Sequence, residues 1–146
     1  MTVKDKIEAI AAQLTIGVVS AGDWTFYTDQ SEEFNKNDDA VSPFLFMDRP
    51  LRISGKVDNR VGIVFNTYAV NLFFGGNLNQ LDQPQADREA NMKTMGEASN
   101  QFLRLLINDG WAQVTDWSGF EGYNALDMNC DGWYLNVRLK VNDTIC

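Results

Sequence analysis

With 146 residues, 45% of them hydrophobic and 22% charged, the chain has material for one domain with a sizeable core and too little for two of ordinary size. Twelve Lys and Arg stand against 20 Asp and Glu, giving a formal net charge of −8 with no basic cluster; this argues against a grip on phosphate backbones or on an anionic membrane surface. The absence of histidine removes imidazole general bases, histidine-assisted nucleophiles and most transition-metal sites, and leaves carboxylate-based enzymes open.

Residues 2–14 read as a short helix. Thr2 is placed to cap it, Asp5 stands three residues on as the capping-box partner, and Val3, Ile7, Ile10, Ala11 and Leu14 recur at helical spacing as one apolar stripe, with Lys4, Asp5, Lys6 and Glu8 off it. This amphipathic start lacks the continuous apolar core of a signal peptide, and no run reaches the roughly 18 apolar residues of a membrane span, so the chain is expected to stay in the cytoplasm where it is made. Gly17 to Gly22 breaks the pattern, and Trp24 to Tyr27 is either a short strand or an aromatic anchor. The stretch TDQSEEFNKNDDA, residues 28–40, carries five acids, one lysine and a single large apolar residue, Phe34. It reads as a long mobile acidic loop, either solvated or binding a partner.

From Val41 the pattern is β. Phe44 to Met47 is apolar on both faces, Asp48-Arg49-Pro50 interrupts it, and LRISGKV resumes it. The longest strand covers 61–74, with Val61, Ile63, Phe65, Thr67, Ala69 and Phe73 opposing Val64, Tyr68, Val70, Leu72 and Phe74. Bulky groups on both sides predict a central strand covered by helices on one face and by something else, such as a partner subunit, on the other. After Gly75-Gly76-Asn77, a helix is predicted over 84–108, with Asp82 as cap, Pro84 in the first turn and Asn108-Asp109-Gly110 as the stop. Met92, Met95, Ala98 or Ser99, Phe102, and Leu105 or Leu106 mark its apolar face; Arg88, Glu89, Lys93, Glu97 and Asn100 mark its polar one. Residues 111–117 alternate as a strand, Ser118-Gly119 turns it, and GFEGYNAL is irregular. In the last strand Trp133, Leu135, Val137, Leu139 and Val141 face the core, while Tyr134, Asn136, Arg138 and Lys140 face out. The fold class is therefore α+β over 1–146: a mostly antiparallel sheet with the N-terminal helix and one long helix on one face, in the order α-β-β-β-α-β-β.

Two stretches invite a chemical reading. Asp127-Met128-Asn129-Cys130-Asp131-Gly132 matches the first half of a calcium loop, D-x-[DN]-x-[DN]-G. Counting on from Asp127 places Leu135 at the ninth position and Arg138 at the twelfth, where a bidentate glutamate should close the shell, and the segment after the glycine alternates like a strand. DMNCDG is therefore read as a turn, with no metal assigned, and Gly132 as its conformational key. Asp116, Glu121 and Asp127 lie among Trp111, Trp117, Phe120, Tyr123 and Trp133, and acids among aromatics suit a carbohydrate-binding or carboxylate-based glycan-active domain. The glycines of FFGGN and SGFEG form no phosphate-binding pattern. Cys130 and Cys146 are expected as thiols in a reducing compartment. No catalytic residue and no cofactor is assigned.

The capped helix TVKDKIEAIAAQL, the strand pair FLFMDRPLRISGKV and VGIVFNTYAVNLFF, the long helix before INDGW and the closing strand DGWYLNVRLKV together resemble, in architecture and over nearly the whole chain, the tail-terminator and tail-completion proteins of tailed bacteriophages. The resemblance implies a non-catalytic structural protein of the virion, made in the host bacterial cytoplasm. Its subunits would form a homo-oligomeric ring, commonly a hexamer, that caps the finished tail tube and joins it to head, neck or connector proteins. It implies no membrane and no sequence-specific nucleic-acid binding. DNA passing through the lumen would meet acidic walls that repel it.

Overall fold

A computed structural model describes residues 2–34, 41–49, 51–58, 60, 62–76, 85–125 and 130–141. The α+β class and the long-helix placement follow the sequence reading. Helix α1 spans Val3–Ala11, strand β1 Thr25–Gln30, a single helical turn α2 Ser31–Phe34, β2 Phe44–Arg49, β3 Arg52–Asp58, β4 Gly62–Gly76, α3 Gln85–Asp109, β5 Gln113–Ala125 and β6 Cys130–Val141.

The capping box forms at α1: the Asp5 amide donates to Thr2 Oγ1 at 3.1 Å and the Thr2 amide to Asp5 Oδ2 at 3.2 Å, which holds the Asp5 carboxyl below its usual range. All five stripe residues, Val3, Ile7, Ile10, Ala11 and Leu14, are buried. On α3 the buried side is Met92, Met95, Ala98, Ser99, Phe102, Leu103 and Leu106, and Gly110, at φ 73°, ends the helix in the left-handed conformation that glycine adopts without a Cβ penalty. The proposed cap at Asp82 and Pro84 lies outside the described residues. The two helices are tied by Lys6 Nζ to Asp109 Oδ2 at 3.4 Å and by Gln101, whose Oε1 accepts from the amides of Thr15 and Ile16 at 3.0 and 3.1 Å. Trp24 Nε1 donates to the Ile16 carbonyl at 2.9 Å, closing the loop after α1 over the core. Among the described residues no helix is long and apolar enough to cross a membrane.

The sheet runs β1-β2-β4-β6-β5, with β3 also paired to β4. Only β1 and β2 are parallel; the other pairs are antiparallel. Strands β2 and β3 lie end to end along one side of β4, Met47 opposite Leu72 and Arg52 opposite Ala69. Asp48 and Arg49 do not interrupt the strand as expected: they complete β2 and pair with Asp29 and Gln30 of β1, and Pro50 lies outside the described residues. Both helices cover one face, where Leu45, Met47, Val70, Leu72, Phe74, Leu135, Val137 and Leu139 join the helix stripes in the main core.

Four further expectations change. Thr25 to Tyr27, directly after Trp24, belong to a strand that runs on to Gln30, so the predicted loop 28–40 begins as β1 and α2; residues 35–40 lie outside the described residues. Phe34, the lone apolar residue of that stretch, is buried: it stacks on Phe46 at 4.1 Å between centroids and meets Phe44 edge-on at 5.5 Å. A single turn cannot sustain itself by hydrogen bonds; here one aromatic plug anchors it. The predicted turn at Ser118-Gly119 is strand, as is the irregular GFEGYNA after it. A Cβ on Gly119 would lie 2.6 Å from Trp133 Nε1, so the glycine is there to let an indole cross the strand. Finally, Cys130 to Gly132 open β6 rather than form a turn.

The expected second cover on β4 is in part the chain itself. Phe34, Phe44, Phe46, Phe73 and Cys130 form a second buried cluster on the face away from the helices, flanked by Tyr27 and Tyr134. Register places Phe46, Phe73, Tyr134 and Phe120 in one row across four strands, with Phe73 to Tyr134 and Phe120 to Tyr134 each 4.7 Å apart. Successive rows turn polar and then charged: Asn71, Asn136 and Ser118, followed by Arg52, Ala69, Arg138 and Asp116.

Candidate functional site

The DMNCDG stretch is described from Cys130 onward. Asp131 pairs with Gly76 across to β4 and is wholly buried. Burial of a carboxylate demands a cation with good geometry, and α3 supplies one: Arg88 Nε donates to Asp131 Oδ2 at 2.7 Å and Nη2 to Oδ1 at 2.9 Å, a bidentate fork. That bond raises the Arg88 guanidinium above its ordinary value. Asn91 Nδ2 donates to the Asp131 carbonyl at 3.2 Å. Both carboxylate oxygens thus serve a helix-to-sheet clamp. Leu135, the ninth position of the calcium count, is buried in the core, and Arg138, the twelfth, lies on the opposite face. Asp127 lies outside the described residues.

Cys130 is a free, buried thiol whose S–H donates to the Gly76 carbonyl at 3.1 Å. Burial, with the Asp131 charge beside it, pushes it up to about 12. An unfolded chain releases this proton near pH 9 while the folded one keeps it. The thiol therefore leaves stability unchanged below about pH 8 and lowers it by about 1.4 kcal/mol per pH unit from about 9 towards 12. Urea midpoints of a Cys146→Ser protein should fall over that range more steeply than those of Cys130→Ala/Cys146→Ser. Equal slopes would refute the assignment.

The two described members of the acidic set do not converge. Asp116 is opposite Arg138 and Glu121 opposite Trp133, residues on opposite faces of β6, so the two carboxylates stand on different sides of the sheet. Glu121 is engaged by Tyr123, whose hydroxyl donates to Oε2 at 2.9 Å and is held above its usual pKa by that bond. The aromatics divide in the same way. Trp111 and Trp133 pack against the main core, Phe120 stacks on Tyr134 on the other face, and Arg88 lies 5.6 Å over the Tyr123 ring. A two-carboxylate hydrolase needs both acids flanking one bond, and this pair does not offer that.

Two concave regions border β5. On the face away from the helices a cleft of about 260 Å³ is lined by Ala69, Asn71, Asp116, Trp117, Ser118, Asn136, Val137 and Arg138. On the helix side Met92, Gly96, Tyr123 and Trp133, with Glu89, Glu97, Glu121 and Lys93 around them, line a groove of about 470 Å³. Along β5 stand three half-exposed aromatics, Trp117, Phe120 and Tyr123, at 53%, 51% and 50%, and no strand pairs with the outer edge of β5 among the described residues. Among those residues no group of three or more Cys, Asp and Glu is gathered to hold a metal ion.

Sequence reasoning missed Arg88–Asp131, because Arg88 reads as one of five polar residues on the solvent side of α3 and its partner is 43 positions away. The aromatic spacing in WSGFEGY was legible; that it marks a free edge was not. No protein-family model matches the chain, and no curated protein matches its sequence.

Proposed function

We propose that the chain is a non-catalytic structural protein of a tailed-phage virion, assembling into a ring at the head-proximal end of the tail that ends tube growth and joins the tail to head or neck. One observation carries most of the weight: a thirteen-residue edge strand, β5, displays three half-exposed aromatics and an unpaired outer edge among the described residues. Monomeric proteins rarely leave such an edge open, and a ring of identical subunits covers it. The α+β order with α1 and the long α3 on one face agrees with the architecture that suggested the family. In this reading the protein is made in the host cytoplasm and resides in the virion, its partners are its own copies, the tail-tube protein and neck or connector proteins, and its acidic balance of −8 lets DNA pass without adhering.

The test is tube growth. Co-produced with the tail-tube protein of the same genome, the chain should shorten the tubes seen in electron micrographs and appear as a cap at one end. Tubes of unchanged length with bare ends would contradict the proposal.

A second reading, a small glycan-binding domain, draws on the polar cleft of Asn71, Asn136, Asp116 and Arg138, which Trp117 also borders. Glycan-array binding abolished by Trp117→Ala would favour it over the ring.

A further inference from the structure

Among the described residues three strand edges are open: β1, β3 and β5. Two of them carry exposed apolar side chains, Ile53 on β3 at 59% and the three aromatics of β5. Their charges are opposite. Strand β5 contains Asp116 and Glu121, both exposed, and no Lys or Arg, whereas the charged side chain described on β3 is the exposed Arg52. Their directions are also opposite. In the order β3-β4-β6-β5 every neighbour is antiparallel, so the two outer strands run in opposite senses. A second copy in the same orientation therefore presents its β3 antiparallel to β5 of the first, and the alternation continues without a break.

We propose that β3 of one copy docks along β5 of the next, extending a single sheet from subunit to subunit. This rests on the ring reading above and specifies its interface. Backbone hydrogen bonds supply the attraction and the exposed apolar groups of both edges are covered. Charge selects the pairing. Two β5 edges would set carboxylate against carboxylate on each face and two β3 edges would oppose Arg52 to itself, while β1, which carries Asp29, offers β5 only another acid. The contact joins unlike surfaces, so it propagates head to tail and closes into a ring when the rotation per subunit permits.

The experiment uses two charge-reversed proteins, R52E on β3 and D116K on β5, with R104E on the exposed side of α3 as control. The wild type and the control should assemble alike in sedimentation velocity. Each reversed protein alone should show at least a tenfold weaker association, and an equimolar mixture should recover it, because each then meets a complementary edge. If the wild type assembles and both reversed proteins assemble as well as it does, or if each fails and the mixture fails too, the interface is elsewhere and the ring reading survives. A wild type that never assembles overturns both. Circular dichroism melting checks that the variants are folded; a protein that fails it is replaced by the neutral R52Q or D116N, each expected to weaken association less than its reversal.

Discussion

Gly132→Val should prevent this chain from folding. A Cβ at that position would stand 2.2 Å from the Phe74 carbonyl oxygen and 2.6 and 2.9 Å from Cζ and Cε2 of Phe73. Gly132 is paired with Gly75 on one side and Gly122 on the other, at the point where β6 is sandwiched between β4 and β5. Relief requires moving backbone of the central strand or displacing Phe73, whose ring is held by Tyr134 at 4.7 Å and Phe44 at 6.0 Å. Overpacking a core by a few atoms costs about 1–3 kcal/mol when side chains can give way. Here the nearest obstacle is main chain, and a loss beyond about 4 kcal/mol is expected, against a total stability of about 5–15 kcal/mol for a domain. Soluble yield and the urea midpoint check it. A Gly132→Val protein within about 1 kcal/mol of wild type would contradict this packing; Asp127→Asn is expected to cost less.

The second large effect lies one residue away. Asp131→Ala removes both acceptors of the Arg88 fork and leaves a small void in a fully buried site. About 3 kcal/mol is expected, roughly 10 °C in Tm for a chain of this size. Arg88→Met should lower Tm further, because it leaves the buried carboxylate without its cation. The double variant should be more stable than Arg88→Met alone, since the stranded charge is gone. A thermodynamic cycle by urea denaturation separates the cases: losses that simply add would mean the two side chains act independently, and the clamp between α3 and β6 would have to be abandoned.

These two sites mark the boundary of what the sequence discloses. The stripe of α1, its capping box, the buried face of α3 and the alternation of β6 all arise from neighbours a few positions apart, and periodicity exposes them. Local rules assign Gly119 and Gly132 to turns; their role is to let Trp133 and Phe73 cross a strand, a fact of cross-strand packing. Phe34 misled for a related reason. Five acids around one aromatic describe a segment with no core of its own, yet the core it enters is built by Phe44, Phe46 and Phe73 of other strands. At the candidate site, acids and aromatics were visible in composition. Their division between the two sheet faces required the register of β5 on β6, including the irregularities between Val114 and Asp116 and between Gly122 and Ala125.

Native mass spectrometry of the purified wild type over a wide concentration range reads the proposed ring assembly itself. One closed species of several subunits is expected, about 99 kDa if six 16.5 kDa chains associate. Only the 16.5 kDa monomer, at every concentration and with the tail-tube protein present, would contradict it.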